Sequence, residues 1–174
     1  MSLTPVQQKF VLHWGEMGDW WGINRSVAQI HALLYIRAQP MNAEDIAETL
    51  AMARSNVSNS LKELKTWGII RTVHVLGDRR DHFESLGDVW EMFRKVLEER
   101  RRRELEPTLR LLRECADEAA AAGKPETATK KRLDSLIEFL ETADAWHTQA
   151  RRLSNAAFVR LMKMGGKLSS LLGS

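Results

Sequence analysis

A single cysteine, Cys115, in 174 residues excludes an intrachain disulfide framework and fits a reducing compartment. With no second cysteine to resolve an oxidised thiol, it reads as a buried or interface residue before a redox sensor. No stretch approaches the roughly 18 uninterrupted apolar residues of a membrane span, and Met1–Gln8 has no apolar signal core. These absences set the expectation of a soluble, cytoplasmic protein without membrane contact. Also missing are a P-loop, a nucleophile elbow and a cluster of catalytic carboxylates. The histidines His13, His31, His74, His82 and His147 stand at no metal-ligand spacing. The chain is therefore expected to be no enzyme and to carry neither cofactor nor metal. Its net charge is small, +3, with a pI near 9.2. That permits a polyanionic partner without requiring one. Through Ser85 the chain is balanced, with nine Lys and Arg against nine Asp and Glu. Any anion binding must rest on where the positive groups are placed.

What is present is mostly helix signal. Apolar content of 44% is that of a globular chain. Thr4-Pro5 with Gln7 reads as an N-cap, a first-turn proline and a capping-box partner. The helix it opens is expected to end near Gly18 or Gly22. A second helix is expected from about Ser26, with Val27, Ile30, Leu33 and Leu34 on one face, stopped by Pro40. Asn42, with Asp45 three residues on, caps a short third helix whose stripe is Ile46, Ala47 and Leu50. After a break at Ala51–Ala53, a fourth helix, Arg54–Trp67, places Val57, Leu61 and Leu64 inward, with Gly68 as its C′ residue. Then the period changes. Ile69–Leu76 is rich in β-branched residues and reads as a strand, Gly77–Arg80 as a turn with a basic tip, and Asp81–Glu84 as a returning strand.

Beyond Ser85 the pattern is long helix. Val89, Phe93, Val96 and Leu97 form an inward stripe, Pro107 is expected to kink the helix, and Gly123-Lys124-Pro125 to end it. A further long pattern follows from Glu126, with Ala150, Leu153, Ala157, Leu161, Met164 and Leu168 near a heptad seam. The fold class is thus mainly α: a winged helix-turn-helix with a small β-hairpin wing plus long C-terminal dimerisation helices. The expected domains are 1–85 for DNA binding and 86–174 for dimerisation and an effector.

The fourth helix carries the candidate chemistry. Outside its apolar stripe it presents Arg54, Ser55, Asn56, Ser58, Asn59, Lys62 and Lys65. Short polar groups near a helix N-terminus can reach base edges in the major groove: Asn56 or Asn59 suits adenine, and Arg54 suits guanine. Ser55 and Ser58 suit phosphate at the positive helix end, and Lys62 and Lys65 the backbone further along. Arg79 and Arg80 form the wing tip, with Asp78 or Asp81 able to hold an arginine by a salt bridge.

The run AEDIAETLAMARSNVSNSLKELKTWGIIRTVHVLGDRRDHFES resembles the DNA-binding core of MarR-type regulators, and the continuation DVWEMFRKVLEERRRRELEP resembles their GbsR-like branch. The resemblance spans roughly Ser26 to Pro107. It implies a homodimeric transcription regulator, commonly a repressor, with the fourth helix in the major groove and Arg79 in an adjacent minor groove. A dimer would read a roughly palindromic operator. One departure stands out: many relatives cap the recognition helix with Ser or Thr where this chain has Ala53, at a cost of about 1 kcal/mol. Ser55 could shift the helix start.

Other features have competing readings. The run Arg100–Arg103 could touch phosphate, but Glu98, Glu99, Glu104 and Glu106 can pair with it on the helix, which is the favoured reading. Six tryptophans are many. GbsR-like proteins are associated with choline and glycine-betaine metabolism, so the resemblance allows a small-molecule effector, a quaternary ammonium compound, caged by Trp20, Trp21 and Trp90 through cation–π attraction. The plainer reading makes these tryptophans core and interface residues. The rival to DNA binding is a winged-helix protein–protein interaction module of an assembly or chromosome-organising complex. Such a module would present an acidic or apolar outward helix, which Arg54, Lys62 and Lys65 oppose.

Overall fold

The computed structural model describes residues 3–172, with side chains described for all of these except 125 and 165–172. It divides into two compact units that meet within one helix, between Lys95 and Val96.

The first unit opens with α1 (Pro5–Trp20), whose capping box forms as the sequence specifies. The Gln7 amide donates to Thr4 Oγ1 at 3.3 Å and the Thr4 amide to Gln7 Oε1 at 3.2 Å. The helix continues through Gly18. That glycine and Gly15 are buried against α2 (Arg25–Arg37), and a Cβ on Gly18 would lie 2.5 Å from the Ala28 Cβ. Gly18 is thus a packing residue, not a stop. The cap of α2 is Asn24, which accepts from the Ser26 amide at 2.9 Å. Its expected stripe of Val27, Ile30, Leu33 and Leu34 is buried, and α2 packs against α1, α3, α4 and the sheet. The helix ends at Arg37, three residues before Pro40, with Ala38 in the left-handed region at φ +51°.

Next come β1 (Met41–Asn42), α3 (Ala43–Leu50) and α4 (Arg54–Thr66). Asn42 is buried and caps α3 by accepting from the Glu44 and Asp45 amides at 3.0 and 2.9 Å. Ile46 and Ala47 of α3 join Val57, Leu61 and Leu64 of α4 in the core. The turn between these helices has Ala51 at φ +51°. Gly68 follows α4 at φ +70°, a conformation strained for any residue with a Cβ. The wing is β2 (Ile70–Val73) and β3 (His82–Ser85), paired antiparallel with Ile70 opposite Ser85 and Val73 opposite His82. The sheet has a third strand that the sequence reading lacks. β1 pairs with β3, Met41 opposite Phe83 and Asn42 opposite His82. The first wing strand is shorter than Ile69–Leu76 suggests, because pairing stops where the tip loop begins, and the second lies one residue later than Asp81–Glu84.

Asp88 caps α5 (Val89–Arg100), accepting from the Trp90 and Glu91 amides. In the second unit the helix continues through a π-helical turn, Arg101–Leu105, into α6 (Glu106–Ala122). Pro107 has no N–H for the Arg103 carbonyl, and the chain answers with a wide turn in which the Glu106 amide reaches Arg101 O. A 3-10 turn, Lys124–Glu126, leads to α7 (Thr127–Arg151), which packs on α6, and then to α8 (Asn155–Leu172). The heptad seam from Ala150 to Met164 is interrupted at Arg152–Ser154, and the side chain of Leu168 lies outside the described residues. Arg100–Arg103 are engaged with acids: Arg100 with Glu104, Arg101 with Asp144 and Glu106, and Arg102 and Arg103 with Glu99.

Candidate nucleic-acid interface

At 100° per residue, the buried residues Val57, Ser60, Leu61 and Leu64 fall on one side of α4. The opposite face carries Ser55, Asn59, Lys62 and Thr66, flanked by Arg54, Ser58 and Lys65, and all of these are exposed. Ser55, Ser58, Asn59, Lys62 and Lys65 make no side-chain hydrogen bond or ion pair with any other described residue. Thr66 was not among the sequence candidates. It extends the outward face by one turn, and its hydroxyl donates back to the Lys62 carbonyl at 3.0 Å.

Asn56 sits differently. It lies towards α2, where its Nδ2 donates to Ser26 Oγ at 2.8 Å. Of the two candidate amides, Asn59 is therefore the one on the outward face. The start of α4 is bare: Ala53 is the N-cap and makes no side-chain hydrogen bond, and the helix begins at Arg54 without shifting towards Ser55. Its first-turn N–H groups keep the donors that a capping side chain would have taken.

The two wing arginines are also unlike each other. Arg80 is held by two carboxylates. Its Nε donates to Asp78 Oδ1 at 2.9 Å, its Nη2 pairs with Asp78 Oδ2, and its Nη1 donates to Glu44 Oε2 at 3.0 Å. Hydrogen bonding from Arg80 holds the Asp78 carboxyl well below the usual carboxylate range, and donating to Asp78 and then Glu44 holds the guanidinium more firmly charged. The His82 Nδ1 donates to the Arg80 carbonyl at 3.0 Å, fixing the base of the loop. Arg79 is exposed and makes no such contact with a described residue. Glu44 is the residue that sequence reasoning missed. Its other oxygen, Oε1, stands 3.6 Å from Arg54 Nη1, so one carboxylate joins the start of α4 to the wing.

Elsewhere in this unit, His31 lies beneath the sheet with Nε2 3.3 Å from Ser85 Oγ, and burial pushes its imidazole down to about 4. Trp20 and Trp21 are 76% and 61% exposed at the end of α1, and Trp90 is half-buried. Among the described residues no three His, Cys, Asp or Glu gather as a metal site, and no helix is long and apolar enough to cross a membrane.

Comparison with known proteins agrees with this geometry. Residues 21–81 match the MarR family. A solved structure described as a transcriptional regulator is 19% identical, covering 84% of this chain and 95% of its own at a TM-score of 0.57. Two structures of MepR superpose more loosely. A point mutant from S. aureus bound to an oligodeoxyribonucleotide is 15% identical, over 79% of this chain and 92% of its own, with a TM-score of 0.40. MepR as regulator of the Staphylococcus aureus multidrug efflux pump MepA is 14% identical, over 96% of this chain and 90% of its own, with a TM-score of 0.36. The first of these carries the weight for the fold. No curated protein matches the sequence. The likeness to the MarR family thus covers residues 21–81, the stretch that holds α2 to α4 and β2.

Proposed function

We propose that this chain, built on a MarR-type winged helix, is a sequence-specific regulator of transcription that binds duplex DNA through α4 and Arg79. The observation that carries the reading is the outward face of α4. Five exposed polar or basic side chains there have no partner among the described residues, beside a helix start with no side-chain cap. Such a start accepts a phosphate on its free N–H groups, with Ser55 and Arg54 beside it. Asn59 is placed to read adenine, Lys62 and Lys65 to neutralise phosphates, and Arg79 to enter a minor groove. We assign DNA binding to residues 1–85 and dimerisation to 86–174, within the GbsR-like branch. The exposed apolar residues Leu136, Phe139 and Trp146, spaced along α7, favour a homodimer contact. The dimer would be a repressor reading two half-sites about one DNA turn apart. An effector, such as a quaternary ammonium compound at Trp20, Trp21 and Trp90, would relieve it by preferring a DNA-incompetent arrangement.

The test is binding to duplex DNA across a salt series. With several phosphates neutralised, log affinity falls linearly and steeply with log salt, by about 0.9 per phosphate contacted. Absence of binding, or a flat response, contradicts the reading and favours a protein–protein interaction module.

A further inference from the structure

Glu44 is an acid in the middle of a surface read here as DNA-facing, and its position is built rather than incidental. β1 pairs with β3 through Asn42 and His82, Asn42 then caps α3, and the Glu44 amide is one of the two N–H groups it holds. The backbone of Glu44 is thereby fixed against the wing strand that begins two residues after Arg80. Its two oxygens divide between Arg80 Nη1 at 3.0 Å and Arg54 Nη1 at 3.6 Å. These pairs join three elements, α3, the start of α4 and the wing, all within the first unit.

We infer that Glu44 is a positioning residue that sets DNA specificity by occupying Arg54 and Arg80 until a correctly seated duplex displaces it. The inference rests on the reading of α4 and the wing as the DNA-binding surface. A phosphate arriving out of register meets guanidiniums already paired with a tethered carboxylate, and must also approach that negative charge. Loose, sequence-independent contacts are thereby suppressed. In a seated complex, Arg54 can exchange Glu44 for its DNA contact, while Arg80 keeps Asp78 and continues to hold the wing. Arg79 is then the wing arginine presented to DNA. Counting Arg54, Arg79, Arg80, Glu44 and Asp78 together, neutralising Glu44 doubles the local net charge from one positive unit to two.

The experiment compares the full chain with Glu44→Gln, which removes the charge and keeps the shape, and with Glu48→Gln. Glu48 is an exposed acid one turn along α3 whose side chain makes no hydrogen bond or ion pair with a described residue. It changes net charge equally without touching the bridge. The probe is a random-sequence duplex titrated over a salt series. The expected result is several-fold tighter binding by Glu44→Gln, with a log–log slope steeper by about 0.9, one further phosphate contact. Glu48→Gln should keep the slope of the unsubstituted chain. Equal slopes for the two variants overturn the inference. A DNA-free measurement separates this from the function itself: exchange of the Arg80 guanidinium protons should quicken in Glu44→Ala, and unchanged exchange shows there is no bridge to release. If the unsubstituted chain binds no duplex under any salt condition, the functional reading falls, and the inference with it.

Discussion

Asn56 donates its side-chain amide to Ser26 Oγ at 2.8 Å, and this bond separates two asparagines that the sequence presents as equivalents. Asn56 is committed to the α2–α4 junction, whereas Asn59, on the outward face, makes no such bond. Asn59→Ala should therefore cost about 1–3 kcal/mol of discrimination at one adenine position. Asn56→Ala should leave base preference intact and act through the junction. Competition between duplexes differing at single positions measures both. Loss of base preference in Asn56→Ala with none in Asn59→Ala reverses the assignment.

The wing arginines should separate in the same manner. Arg79→Ala is expected to weaken DNA binding and leave the thermal midpoint unchanged, since its side chain has no described partner. In Arg80→Ala, Asp78 and Glu44 lose their shared cation, so the wing loop should gain amide exchange before any DNA is added. Equal effects of the two substitutions on DNA-free exchange would remove this distinction.

Gly18→Ala should destabilise the first unit by about 1–3 kcal/mol, the usual cost of forcing a methyl into a filled core. The new Cβ would meet the Ala28 Cβ at 2.5 Å, and neither helix has a side chain there that can swing away. Gly15→Ala should cost less, because its nearest neighbour is the flexible Gln29 side chain. Denaturant midpoints of the two variants check the order.

Stability should also depend on pH through His31. Its imidazole titrates at about 4 in the folded protein against 6.5 as an unperturbed group, so between these values the unfolded chain binds more protons. The stabilisation is complete above about 6.5 and is lost as pH falls towards 4. Replacing His31 with Gln should flatten that part of the curve, relative to the unsubstituted chain, in urea melts at stepped pH. A variant with the same slope would place the proton uptake elsewhere.

The stripes of α2 and α4 were legible because each rests on local periodicity, whereas Val89 and Phe93, expected inward on α5, are exposed. Val27, Ile30, Leu33 and Leu34, and then Val57, Leu61 and Leu64, are buried where their spacing places them. Caps carried by Thr4 and Asn42 were equally local. What escaped depends on partners distant in sequence. β1 has only two residues, too few for alternation, and exists because β3 pairs with it. Gly18 looks like a helix stop until α2 lies against it. The break at Arg152–Ser154 sits inside an unbroken apolar spacing, where the Ser154 hydroxyl accepts from the Ala157 amide at 3.2 Å. Glu44 gave no signal of its role, since nothing in the chain's order shows that Arg80, 36 residues on, returns beside it.

The central claim is that α4 reads base sequence in duplex DNA, and selection of bound duplexes from a random pool by the full chain tests it most directly. The account predicts enrichment of an inverted repeat whose half-sites are centred about 10 base pairs apart, with an adenine position that loses its preference in Asn59→Ala. Recovery of a pool as random as the input would contradict it.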